Sequence, residues 1–390
     1  MMISFQANEE TSIQDIANIF RINPNFILMN EKQEIFIAGF YKKLISSNEL
    51  YLAKKDLFDD LLNVEILKLI NEVSSEDELK ERPSFFSVIR AIPNSIVVPQ
   101  PYSFSKMEND LAQIQQLYPF LNVNEIGKST LGKPIYELIL GNGPRKIHWN
   151  GSFHANEWIT SCVIMKMVEW LCYFCTFTLP SESINGYDLF NQITLSIVPM
   201  VNPDGVDLVV NGKVDDRIFQ EQAININGGS NDFTAWKANI RGVDLNNQFP
   251  ANWEIEKARK IPKSYASRDY PGDYPLSEAE SITMAKLVVE RQFDMVLALH
   301  TQGKEFYWGY EGLEPEESIR YAEYFAKVSP FKSVRTIDSH AGFKDWFIQK
   351  YQKTGFTLEL GKGINPLPLS KYNEIYAETM PILFGSLLLI

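Results

Sequence analysis

His148-Trp-Asn-Gly-Ser-Phe-His154-Ala-Asn-Glu157-Trp-Ile-Thr160 closes a run with strand character and opens a long apolar segment with helical character. A strand that delivers a histidine and a glutamate to the mouth of a helix is well placed to hold a metal. Neutral imidazole and carboxylate both ligate zinc, and a catalytic zinc takes three protein ligands and keeps one position open. Two residues alone are weak support, because a surface histidine beside a solvated glutamate gives the same pattern. The chain holds only four histidines, however. His148 lies inside the strand run and His340 in the polar loop Asp338-Ser-His-Ala. His300 ends a second apolar strand, Phe293-Asp-Met-Val-Leu-Ala-Leu-His300-Thr-Gln-Gly. Open α/β sheets place ligands at strand ends facing one crevice, which makes His300 the expected third ligand.

Gly355-Phe-Thr-Leu-Glu359-Leu-Gly sets a carboxylate inside another apolar strand. A glutamate there is either structurally paired or held for chemistry. Next to a metal site, such a carboxylate can take a proton from water and hand one to a leaving amine.

Five signatures occur in order: His154-Ala-Asn-Glu157-Trp-Ile-Thr, Asn202-Pro-Asp-Gly205, Gly242-Val-Asp244-Leu-Asn246, His300 and Phe356-Thr-Leu-Glu359-Leu. Together they resemble the zinc carboxypeptidases typified by carboxypeptidase A, over roughly residues 102–390. The resemblance implies an α/β fold, a mixed and largely parallel twisted sheet with helices on both faces. It implies one zinc ion per chain on His154, Glu157 and His300, with Glu359 as general base and acid. Read alone, Arg241 is a surface arginine and Asp244 a turn residue. Within the resemblance, Arg241 looks like the arginine that stabilises an oxyanion, and Asp244 like the carboxylate that accepts the other ring N–H of His154.

Departures from the family pattern bear on substrate. Asn246-Asn247 stands where the carboxypeptidases read Asn-Arg, and an amide cannot replace a guanidinium that clamps a terminal carboxylate. The family's mobile tyrosine falls near Ile337, so no tyrosine role carries over. Lys344 falls at the floor of the pocket for the leaving side, where a positive charge would favour a side chain ending in a carboxylate. These departures resemble the bacterial γ-D-glutamyl-diaminopimelate endopeptidases, which cut the stem peptide of peptidoglycan. Muropeptides are then the expected substrate. A conventional carboxypeptidase, a zinc deacylase of the aspartoacylase type, and a peptidoglycan-binding protein with an inactive peptidase domain are the alternatives.

The chain of 390 residues is long enough for a catalytic domain and an accessory piece. Its formal charge of −12 argues against nucleic acid or an anionic membrane as main partner. The N-terminus lacks the basic start and apolar core of a secretory signal, so a cytoplasmic protein is expected. The most apolar run, Trp158 to Leu179, carries Lys166 and Glu169 and reads as a buried helix, not a membrane span. Cys162, Cys172 and Cys175 fall in or beside it and read as packed, reduced thiols.

Residues 1–45 suggest a β-α-α-β order, with helical spacing at Ile13, Ile16, Ala17 and Phe20, a second short helix in Asn23–Asn30 and a closing strand at Ile35–Gly39. That order is similar to a LysM domain, which implies a glycan contact through this module; a small packing domain is the alternative. Residues 46–101 read as a helical segment around Leu57–Val73, a solvated charge run and an extended, proline-bearing linker over Ile92–Pro101. Residues 102–390 form the expected catalytic domain, beginning with a helix over Lys106–Tyr118 and a hairpin whose turn is supplied by Gly127 and Gly132.

Overall fold

The computed structural model describes residues 3–6, 27–29, 34–37, 95–176 and 186–388. Near the N-terminus, Ile3–Gln6 (β1), Ile27–Met29 (β2) and Glu34–Ile37 (β3) form an antiparallel sheet in the order β1-β3-β2. The second short helix expected within Asn23–Asn30 is therefore corrected at Ile27–Met29, where three consecutive apolar residues pair with β3 instead. The helix expected at Ile13–Phe20 and the one around Leu57–Val73 lie outside the described residues.

Eight strands make the main sheet: Asn122–Lys128 (β4), Pro134–Gly141 (β5), Arg145–Gly151 (β6), Ile193–Val198 (β7), Met295–Thr301 (β8), Glu305–Tyr307 (β9), Lys332–Val334 (β10) and Thr354–Leu360 (β11). Their order is β10-β9-β11-β8-β6-β7-β5-β4. The four pairings β10/β9, β11/β8, β8/β6 and β6/β7 are parallel, and β9/β11, β7/β5 and β5/β4 are antiparallel. Mixed and mainly parallel, the sheet is covered on both faces, as expected of strands that alternate with helices.

Side chains alternate across a strand, and this divides the chemistry of the two faces. Ile147 and Trp149 of β6, Leu297 and Leu299 of β8, and Phe356, Leu358 and Leu360 of β11 point into one apolar core. Helices Phe104–Leu117, Ile159–Thr176, Glu317–Val328 and Tyr372–Leu388 cover it. On the other face, Val296 and Ala298 of β8 pack with Phe153 and with helices Ala279–Arg291 and Phe343–Tyr351. His300 and Glu359 follow the second alternation and emerge at its C-terminal edge.

Helix Ile159–Thr176 is long and apolar enough to span a bilayer by length and composition, yet it is a core helix, largely buried within the protein. Its two charges receive the linker: Glu169 Oε2 accepts the Ser95 hydroxyl at 2.7 Å, Glu169 Oε1 accepts Ile96 N–H at 2.7 Å, and Lys166 lies 3.1 Å from the same carboxylate. The three cysteines are buried in the core. Helix Phe104–Leu117 begins two residues before the expected start, capped by the Ser103 hydroxyl. The expected hairpin is β4–β5, but Gly127 does not turn it. Gly127 sits within β4 at a register shift, and a Cβ there would meet Thr283 Oγ1 at 2.3 Å. Gly132, with φ +84°, lies in the turn.

Candidate metal centre

β6 ends at Gly151, and the chain runs through Phe153 into a single 3₁₀ turn, Ala155–Glu157, before the core helix. Asn202 fixes this exit. Its amide donates to the carbonyls of Phe153 and Ala238, each at 3.1 Å, while its Oδ1 caps the helix Pro203–Asn211. Gly205 makes that cap close, since a Cβ there would lie 2.7 Å from Ala238 O. His154 and Glu157 are thereby set on a short rigid turn, and β8 brings His300 beside them.

The donor atoms of His154, Glu157 and His300 all lie within 4.8 Å of one another, and all three residues are buried. His154 Nδ1 is 2.9 Å from Glu157 Oε1, His300 Nδ1 is 3.1 Å from Glu157 Oε2, and the two Nδ1 atoms face each other at 3.1 Å. His154 turns Nε2 toward Asp244 Oδ1 at 3.1 Å, where a ring N–H donates, so Nδ1 is the nitrogen that a metal would take in exchange for its proton. Converging ring nitrogens and a carboxylate in a buried space call for a cation, and this donor set suits zinc.

Electrostatics follow the same logic. Burial disfavours charge on His154, yet Glu157 and Asp244 outweigh it and raise the imidazole to about 9. Burial likewise opposes charge on Glu157, but His154 and His300 hold it down to about 2. His300 is lowered chiefly by burial. Glu359, half-buried, is raised to about 8, first by desolvation and then by the nearby Glu157 charge. Its backbone register matches His300 across the parallel β11–β8 pair, which puts base and ligand side by side on one face.

The structure separates Arg241 from this group. Asn239 to Val243 form a tight turn closed by Gly242 at φ +84°, and Arg241 projects from its tip. Its guanidinium donates to Tyr265 Oη at 3.1 Å and sits 3.7 Å from Glu278. With Thr130, Phe219 and Asn225 it lines a separate cavity of about 530 Å³. The cation turned toward the ligands is Lys237, whose Nζ lies 3.0 Å from Asp244 Oδ2. Its backbone carbonyl accepts Ala155 N–H at 3.0 Å, pinning it beside the metal turn. Burial opposes charge on Lys237, but Asp244 and Asp269 raise it well above the ordinary range. Asp244 in turn is held well below the carboxylate range by Lys237 and His154 against desolvation. A lone lysine between buried Trp236 and Ala238 is the sequence signal for this role.

Asn365 also belongs to the site. Its amide donates to Thr301 O at 2.9 Å and approaches Glu157 Oε1 at 3.4 Å, while Thr301 Oγ1 donates back to Asn365 Oδ1. Asn246 is tied up structurally, with Oδ1 accepting Phe343 N–H at 3.1 Å. Asn247 is buried in the 3₁₀ turn after Asp244. Lys344 is buried too, but its charge is closed off: Nζ pairs with Asp345 and donates to Gly309 O at 3.0 Å. The cation expected there for a substrate carboxylate is thus already paired with a carboxylate of its own helix. Ile337, at the place of the mobile tyrosine, is exposed, and nearby His340 bonds Tyr310 Oη at 2.9 Å.

A mixed sheet with two imidazoles and one carboxylate gathered at its edge, and a raised glutamate beside them, defines a zinc metallopeptidase. The family model described as zinc carboxypeptidase matches residues 107–380, and the chain belongs to that family. Among relatives, it is 48% identical over 290 residues to gamma-D-glutamyl-L-diamino acid endopeptidase 1 of Lysinibacillus sphaericus, covering 74% of this chain and 73% of that protein. It is 49% identical to the uncharacterized protein YqgT of Bacillus subtilis, covering 73% and 77%. Among solved structures, bovine thrombin-activatable fibrinolysis inhibitor shares the fold with a TM-score of 0.56 at 19% identity, over 74% of this chain and 98% of that one.

Proposed function

We propose that this peptidase hydrolyses the γ-D-glutamyl bond to a diamino acid, meso-diaminopimelate in the first instance, in the stem peptides of peptidoglycan. The observation that carries the reading is the cluster itself: His154, Glu157 and His300 within 4.8 Å, with Glu359 in register beside His300. The similarity to the Lysinibacillus endopeptidase supports the substrate class. Asn247, where carboxypeptidases carry an arginine clamp, supports action on a bond that is not at a free C-terminus.

Zinc, when bound, supplies a Lewis acid that polarises a carbonyl and makes water more acidic. Glu359 takes the proton from the attacking water and delivers it to the departing amine, a task suited to a half-buried carboxyl in register with a metal ligand. Asp244 accepts the N–H on His154 Nε2 and so leaves Nδ1 as the nitrogen that would hold the metal. Lys237 provides the fixed positive charge that faces the developing oxyanion, the role expected of Arg241.

The same reading extends to architecture. Residues 102–390 act as the catalytic domain, residues 46–101 as the connection, and residues 1–45 as a small accessory module that touches glycan. Work in the cytoplasm, in recycling or sporulation, completes the proposal and rests on sequence.

Mass spectrometry of muropeptides digested by the zinc-loaded protein tests the core claim. Products cut between D-glutamate and the diamino acid are expected. Glu359→Gln should retain zinc and lose about 10²–10⁴-fold in kcat. Release of C-terminal residues from ordinary free-ended peptides, with muropeptides left intact, would refute the reading.

A further inference from the structure

Beyond Glu359 the sheet continues into β9, and that strand carries a second carboxylate with no role so far. β9 pairs antiparallel with β11, and Glu305 is the register partner of Glu359, which is itself the register partner of His300. Directly opposed residues share a face. Phe306 between Glu305 and Tyr307 points into the apolar core of the other face, so Glu305 and Tyr307 stand on the catalytic side. His300, Glu359 and Glu305 therefore form one row across three neighbouring strands, at steps of about 4.8 Å.

Gly303 lets the two carboxylates come together. A Cβ there would lie 3.2 Å from Glu305 Cγ and 3.4 Å from Glu359 Cβ. Like charges facing each other across a ladder are destabilising. Consistent with that, Glu305 adds to the upward shift of Glu359, after burial and Glu157.

Cations nearby are committed elsewhere. Lys304 is held by Glu374 and Glu378, and Lys344 by Asp345. Among the described residues, Glu305 has no ion-pair partner; its one side-chain hydrogen bond is the one that Tyr307 Oη donates to it. A half-buried carboxylate beside the general base, steadied by a phenol and lacking a counter-ion, is a site for a substrate cation.

We infer that Glu305, positioned by Tyr307, binds the ω-ammonium of the diamino acid on the leaving side of the scissile bond. The geometry favours that side. Glu359 hands its proton to the departing amine, and Glu305 lies one strand farther from the metal ligands, where the rest of that residue extends. L-Lysine and meso-diaminopimelate both carry this ammonium. The negative charge left open at Glu305 and the positive charge closed off at Lys344 make the amine, not a side-chain carboxylate, the recognised group. The inference rests on the γ-D-glutamyl peptidase reading above.

The test compares γ-D-glutamyl peptides whose diamino acid has a free ω-amine with the same peptides N-acetylated at that position, using full-length zinc-loaded enzyme. Wild type is expected to favour the free amine by about 10- to 100-fold in kcat/KM, the range of a charge-assisted hydrogen bond. Glu305→Gln should collapse that preference to within a few-fold, mainly through KM, and Glu305→Asp should keep an intermediate preference. If Glu305→Gln preserves the preference and lowers kcat equally on both substrates, the residue tunes Glu359 and the inference is overturned. Wild type that cuts both peptides alike overturns the role of Glu305 alone. Wild type that cuts no γ-D-glutamyl peptide overturns the functional reading and this inference with it.

Discussion

The two faces of the main sheet are built from the same strands and differ by one residue of phase. On one face, β6, β8 and β11 present Ile147, Trp149, Leu297, Leu299, Phe356 and Leu358, all fully buried and apolar. On the other they present His148, Asn150, His300, Thr357 and Glu359, joined by Glu305 on β9. The first face anchors the fold. The second trades packing for chemistry, and its polar groups need partners drawn from neighbouring strands and loops. His148, for example, lies 3.1 Å from Ser196 Oγ and stacks on Phe293 with ring centroids 4.6 Å apart; burial keeps it neutral by lowering it to about 3. The division predicts that damage to one face costs stability and damage to the other costs function.

Trp149→Ala is the strongest way to break that division. The indole is fully buried in the apolar core and donates to Ser386 Oγ at 3.2 Å. Its removal should cost about 3–5 kcal/mol in urea unfolding, while activity per folded molecule stays near wild type. A variant that keeps its stability and loses turnover would show that the two faces are not separable.

Asp244→Asn probes the other side with a smaller effect. The neutral side chain no longer favours the N–H on His154 Nε2, and it leaves Lys237 without its main counter-charge. Zinc affinity measured against a chromophoric chelator should fall about 10- to 100-fold, with a loss of stability in unfolding from the lysine left without its main partner. Unchanged affinity would mean that the tautomer of His154 is set by something else.

The same contrast explains what the sequence could disclose. His154, Glu157, His300 and Glu359 sit at or next to strand ends, where an apolar run broken by a polar residue near a glycine marks both element and exit. Their convergence followed from the α/β pattern. The hairpin was also legible, though the two glycines looked equivalent, and only the approach of Thr283 separates Gly127 in a bulge from Gly132 in a turn. Loop-borne residues were harder. Lys237 and Arg241 lie four apart, and the turn at Gly242 decides which one faces the ligands. Lys344 stands in the first turn of the helix Phe343–Tyr351, and its pairing with Asp345 depends on side-chain direction, which sequence does not carry. Asn365 reaches Glu157 across 208 residues of chain and carried no local signal.

Polarity on the catalytic face is not all catalytic, and Glu280 shows how to tell the difference. It lies in the first turn of the helix Ala279–Arg291, is fully buried, and accepts Thr130 N–H at 3.0 Å through one oxygen while the other lacks a hydrogen-bond partner among the described residues. Burial, with Asp204 and Glu278 nearby, raises it from an ordinary 4.5 to about 7. Between those values the folded state holds a proton that the unfolded state has released. Its contribution to stability is thus complete below about pH 4.5 and is lost as pH rises through about 7. Glu280→Gln keeps an acceptor for Thr130 and removes the titration. The variant should match wild type near pH 4 and exceed it by about 1 kcal/mol at pH 8, a conservative share of the shift. Unfolding midpoints at the two pH values measure this directly. Equal gains at both would place the effect in packing, whereas a gain confined to pH 8 identifies Glu280 as a charge the fold tolerates at a cost, on the face where Glu359 and Glu305 turn the same cost to use.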